Sequence, residues 1–168
     1  MEKTALNISL TAIFGALYAV GVIVLAPISF FLVQVRIADA IIPLSIMFGW
    51  PVILGVTIGN IVANMYGGLG IIDIAGGTIA NFLASFFAYK LRKKPFLATW
   101  AATATITIIV GSYLSFLFSV PVEIGLLGVF IGSVIAINIL GYLLLLAMKK
   151  ASIPEQFGFE EEQHDDLE

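Results

Sequence analysis

There is no cysteine in the 168 residues, and charge is scarce: eight lysines and arginines and eleven acids, 11% of the chain. The lack of cysteine excludes disulfide cross-links, thiolate metal sites and a cysteine nucleophile. The one histidine, His164, lies in an acidic stretch near the end, so no apolar segment carries an imidazole base or ligand. A glycine-rich phosphate loop ending in Lys-Ser/Thr is missing, as are His-Glu-x-x-His and any combination of serine, histidine and acid suited to nucleophilic catalysis. These gaps argue against an enzyme and against a chain that hydrolyses ATP by itself. No metal and no cofactor of its own is expected.

What is present is apolar. The chain is 60% hydrophobic with a mean hydropathy of +1.08, where soluble domains average about 45–50% apolar and about 25% charged. It reads as an all-α integral membrane protein. The first apolar segment is full length and lacks a convincing small-residue cleavage site, so it is expected to be retained as a span. Prolines, glycines and charges divide the rest. With about 20 residues needed to cross hydrocarbon and fewer in a broken helix, six spans are predicted: 5–25, 36–49, 51–66, 71–89, 96–118 and 123–148. Residues 1–150 form one six-span domain, and 151–168 are expected to be an acidic, disordered cytoplasmic tail. The connection 27–34 is too apolar for an ordinary solvated loop.

Six spans put both termini on one side. With that side cytoplasmic, Lys3, Lys90, Arg92, Lys93, Lys94, Lys149 and Lys150 lie inside and only Arg36 outside, as the lysine and arginine bias of cytoplasmic loops requires. Arg36 and Asp39 then sit at a span boundary, three residues apart. Charges at that depth pair, cap a helix or face a polar cavity. Asp39, Asp73 and Glu123 each open an inward-running helix near the outer face, where the helix dipole alone favours an acid. Asp73, Gly77 and Asn81 make a narrow stripe at helical spacing that points into the bundle.

Amides in lipid must hydrogen-bond, either to other helices or to a ligand. By depth, Asn64 and Asn81 are expected to be ligand contacts, and Asn60 and Asn138 packing. Together with Phe30, Phe31, Tyr66 and Tyr113, these groups suit a cup for a small, flat, polar molecule. Ala12 and Ala16, extended by Ala19, form a small-residue ridge that lets another helix approach closely, belonging either to a partner or to the chain's own bundle. Gly55, Gly59 and Ala63 form a similar ridge, expected to pack internally.

The order Val35-Arg-Ile-Ala-Asp39, Pro43, Phe48-Gly-Trp-Pro51, Gly55-Val-Thr-Ile-Gly-Asn60, Gly68-Leu-Gly-Ile-Ile-Asp73 and Gly76-Gly77 resembles the QueT family. These are substrate-binding S components of energy-coupling factor (ECF) transporters, linked to queuosine precursors. The resemblance covers essentially 5–150. It implies capture of a 7-deazaguanine from outside and delivery inward by reorientation with a transmembrane coupling protein and two ATPase subunits, which use the ATP. It also implies a plasma-membrane location. On this resemblance Ala12 and Ala16 dock on the coupling protein, and the connection 27–34, with Phe30 and Phe31, gates the site. Asp73, or failing it Glu123, would pair with the base. Asp39 would meet an ammonium group, and Arg36 or an asparagine the ring carbonyl. An S component for another vitamin or small metabolite, or a ligand-free assembly subunit, is the alternative.

Overall fold

A computed structural model describes residues 2–30 and 34–159. The second gate residue, Phe31, and the acidic stretch 160–168 lie outside these.

Helix α1 (Glu2–Val24) ends where Pro27 removes a backbone donor, and a single turn, α2 (Ala26–Ser29), follows. The Val35 N–H donates to the Ile28 carbonyl at 3.0 Å and closes the connection. The next segment is a 3-10 helix over Ile37–Leu44, continued by one α-helical turn, α3 (Ser45–Phe48). Eight residues rise about 16 Å at the 2.0 Å per residue of a 3-10 helix, against about 12 Å in an α-helix, so this short apolar piece reaches further than its length suggests. The chain reverses at Gly49, whose φ of +59° suits glycine, with the Tyr89 ring packed against it.

Pro51 in its first turn starts α4 (Trp50–Gly67), and Gly68, left-handed at φ +70°, caps it by donating to the Asn64 carbonyl at 3.3 Å. Helices α5 (Ile71–Lys90) and α6 (Pro95–Leu117) are joined through the basic turn. The last run is continuous: α7 (Val122–Ser133), a π-helical stretch (Val134–Gly141) and α8 (Tyr142–Lys150). The described residues contain no strand. Four helical runs, 3–24, 71–90, 95–117 and 122–150, are long and apolar enough to cross a membrane; 37–48 is a shorter apolar helical segment.

The packing sets the directions of the helices. Thr11, Phe14 and Gly15 lie against Gly55, and Tyr18 lies against Gly59, so α1 and α4 run parallel. A β-carbon at Gly59 would stand 2.5 Å from the Gly15 carbonyl oxygen and 3.0 Å from Tyr18 Cβ; at Gly55 it would stand 2.8 Å from Phe14 Cβ. Glycine is what permits this approach. The Gly55–Gly59–Ala63 ridge is thus internal, whereas Ala12 and Ala16 are exposed on the opposite face of α1 among Ile13, Leu17 and Val20.

The surface of the bundle is studded with exposed Ile, Leu, Val and Phe, while Ser45, Asn60, Asn64, Asp73, Asn81 and Ser85 are buried to 1% exposure or less. This inversion suits a protein solvated by lipid. After Lys150 the chain makes another helical turn, α9 (Ile153–Gln156), in which Pro154 is buried, and Phe159 meets the Phe48 ring edge-on at 5.3 Å. Residues 151–159 therefore pack on the bundle.

Gly59→Val is expected to lower stability by about 1–3 kcal/mol, the usual cost of overpacking, and Ala16→Leu to leave it unchanged. Thermal unfolding of the two variants in detergent checks this.

Candidate functional site

The buried polar side chains form one network. Tyr18, fully buried in the middle of α1, donates its hydroxyl proton to Asp39 Oδ1 at 2.6 Å and accepts from Asn81 Nδ2 at 2.7 Å. Asp39 is held there by the first turn of the 3-10 helix, where its N–H donates to the Arg36 carbonyl at 2.9 Å. Arg36 turns the other way: its Nη1 donates to Asn60 Oδ1 at 2.9 Å, and its guanidinium carbon lies 5.6 Å from the centre of the Phe30 ring. That ring rests against the backbone of Gly67. Among the described residues Arg36 and Asp39 make no direct ion pair, so the simple salt bridge is not what this spacing serves.

One turn beyond Asn60 on α4, Asn64 Nδ2 donates to the Asp73 carbonyl at 2.8 Å, and the Tyr113 hydroxyl donates to Asp73 Oδ1 at 2.8 Å. Two glycines of α5 make this possible. The Tyr113 ring lies where a Gly76 β-carbon would be, 2.8 Å away, and the amides of Asn60 and Asn64 and the Tyr113 hydroxyl converge over Gly77.

Several buried polar atoms here have no partner among the described residues: Nε and Nη2 of Arg36, Nε2 of Gln34 and Nδ2 of Asn60 among donors, and Oδ2 of Asp73 and Oδ1 of Asn64 among acceptors. Leaving such groups unsatisfied costs about 1–3 kcal/mol each, more for charged ones, and a polar ligand is one way to satisfy donors and acceptors together. A small cavity of about 10 Å³ lies at Gln34, Arg36, Asp39, Asn81 and Ser133, walled by Ile106, Val110 and Val129. That is room for about one water, so a bicyclic ligand would enter only if these side chains part.

Of the site residues expected from the sequence, Arg36, Asp39, Asn64, Asp73, Asn81 and Tyr113 are brought together, with Phe30 beside them. Glu123 stands exposed on the first turn of α7 and takes no part in this network, and Tyr66 is 62% exposed on the outside. Asn60, expected to be packing, accepts from Arg36 and sits at the centre of the network. Asn138 bonds to the Thr103 hydroxyl, joining the last helical run to α6. Tyr18 and Gln34 were missed. A lone tyrosine far from either end of an apolar helix, where its hydroxyl must find a partner, was the available signal for Tyr18.

An all-helical bundle with an apolar surface and buried polar and charged side chains is the form of a multi-pass membrane protein. The chain belongs to the QueT transporter family, whose family model matches residues 8–150. No curated protein and no solved structure matches it.

Tyr18→Phe removes the hydroxyl shared by Asp39 and Asn81, and a loss of about 1–3 kcal/mol in stability is expected from the groups left unsatisfied. Denaturant unfolding against the parent protein checks it.

Proposed function

We propose that this protein is the substrate-binding S component of an ECF-type transporter that captures a queuosine precursor of the 7-deazaguanine class. The observation that carries the reading is the convergence of unsatisfied donors and acceptors in one buried place: Arg36, Gln34 and Asn60 on one side, Asp73 and Asn64 on the other. A 7-deazaguanine presents a ring N–H and an exocyclic amine on one edge and a carbonyl beside them. Asp73, with one carboxylate oxygen already steadied by Tyr113, would accept both donors in a bidentate, charge-assisted pair. Arg36 or Asn60 would donate to the carbonyl.

Formal charge adds to this reading. Arg36, Asp39 and Asp73 sum to one negative charge when all are ionised, so a ligand bearing one ammonium group would neutralise the site, with Asp39 as the acid to meet it. On this count preQ1, with its aminomethyl group, binds more tightly than preQ0, whose nitrile is neutral.

Six crossings follow if the 3-10 segment and α4 both span. The reversals at 24–36, 67–71 and 117–122 then lie outside, and Lys3, the 90–95 turn and Lys149-Lys150 lie at the cytoplasmic face of the plasma membrane. The outward-facing Ala12 and Ala16 form the surface for the coupling protein. Energy comes from two partner ATPases, and this chain carries no cofactor.

Calorimetric titration of the purified protein with preQ0, preQ1 and queuine, with guanine and thiamine as controls, tests the substrate. Stoichiometric binding of a deazapurine is expected, weakened by about 2–5 kcal/mol in Asp73→Asn and unchanged in Glu123→Gln. Binding of thiamine alone, or of nothing by folded protein, overturns the substrate reading. Ala16→Trp is expected to reduce co-purification with the coupling protein and ATPases while leaving ligand affinity intact.

A further inference from the structure

Of the three guanidinium nitrogens of Arg36, one is engaged: Nη1 donates to Asn60 Oδ1 at 2.9 Å. Nε and Nη2 are buried and have no partner among the described residues. These two lie on one edge of the planar group and point in parallel, the fork by which arginine reads acceptor oxygens. Gln34, two residues earlier, is 5% exposed, and its Nε2 is likewise buried without a partner among the described residues. The Gln34 side chain starts from a fixed backbone. Its carbonyl oxygen lies 1.8 Å from where a Gly132 β-carbon would stand, and the next N–H, of Val35, donates to the Ile28 carbonyl at 3.0 Å. Gln34 and Arg36 both line the cavity of about 10 Å³. Its room for about one water matches a single carbonyl oxygen better than a ring.

A cluster of three buried donor nitrogens calls for an acceptor. Charge selects which kind. Arg36, Asp39 and Asp73 already sum to one negative charge when ionised, so a carboxylate or phosphate would add to the excess and a neutral carbonyl would not. We infer that Gln34 and the Nε/Nη2 edge of Arg36 form a donor clamp on the ligand's carbonyl oxygen, with Gln34 as a specificity-determining residue. The clamp rests on the 7-deazaguanine reading above and narrows it. The carbonyl falls to Arg36 and Gln34 and not to Asn60, whose Nδ2 stands 3.0 Å from where a Gly77 β-carbon would be, at the contact of α4 with α5. A site lined by such donors rejects a ligand without the acceptor, because the donors are then left unpaired.

Calorimetry with 7-deazaguanine and its 6-thio analogue tests the clamp. The analogue keeps the ring N–H and the exocyclic amine for Asp73 but offers sulfur, a weak acceptor, in place of the oxygen. The parent protein is expected to bind it about 10- to 100-fold more weakly. Gln34→Met keeps the length of the side chain and removes the donor. It should weaken binding of the oxo ligand and narrow the gap between the two ligands by about tenfold, the mark of a direct pair. A steric cost of the larger sulfur stays in both proteins and cancels. Gln34→Glu, the isosteric change, sets an acceptor against the carbonyl and should weaken the oxo ligand more than the thio one. Unfolding temperatures show which variants are folded. Equal losses for the two ligands in the folded variants, or parent affinity retained in folded Gln34→Met, overturn the clamp and leave the 7-deazaguanine reading standing. Folded parent protein that binds no deazapurine overturns that reading, and the clamp with it.

Discussion

Three ionisable side chains, Arg36, Asp39 and Asp73, sit inside a bundle whose outer surface is hydrocarbon-like, each at 5% exposure or less. Taking such groups out of water costs several kcal/mol apiece unless partners replace the solvent. Most of the interior can be understood as meeting that demand. Tyr18 supplies Asp39, Tyr113 supplies Asp73 and Asn60 receives Arg36. These partners come from α1, α6 and α4, so the charges hold three helices in one register. The glycines follow from the same demand. Without Gly76 and Gly77 the Tyr113 ring and the two amides of α4 would have no space over α5.

The segments that depart from α-helical geometry face each other. The 3-10 helix holds Pro43 within it, and Gly141 at the end of the π-helical stretch accepts that proline ring, with Pro43 Cγ 2.8 Å from where a β-carbon would stand. Likewise the Gln34 backbone lies directly on Gly132. A tightened helix and a widened one pack side by side next to the polar network, and π-helical turns are frequent at functional sites. The segment that carries Arg36 and Asp39 lies close against the last helical run there, and Gly132 and Gly141 leave the room for it.

Much of this order was legible in the sequence because it is local. Pro27, Gly49-Trp-Pro51, Gly67–Gly70, the cluster 90–95 and Pro121 break the chain by steric and hydrogen-bond rules that need no tertiary context, and the helices begin and end beside them. The Asp73–Gly77–Asn81 stripe was readable for the same reason, being a matter of helical period. Helix rotation was not. Helix α1 is apolar nearly all round, so apart from the Tyr18 hydroxyl nothing local distinguishes the face of Ala12 and Ala16, which is exposed, from that of Gly15 and Tyr18, which is buried. The exposure of Glu123 and the central place of Asn60, expected to be packing, have the same origin. The partners of Tyr18 lie 21 to 63 residues away, and no pattern along a single chain reports such contacts.

The seam between α1 and α4 has a mechanical meaning. Backbone meets backbone at Gly15, Gly55 and Gly59, with the β-carbons of Phe14 and Tyr18 packed beside the contact, so the two helices form one close-packed plank. One broad side of that plank shows Ala12 and Ala16 to the outside; its inner edge carries Tyr18, Asn60 and Asn64. A displacement of the outer alanines would therefore carry with it Asn60, which holds Arg36, and Tyr18, which holds Asp39. A grip on the outside of this protein is, through two layers of backbone, a hand on its polar interior.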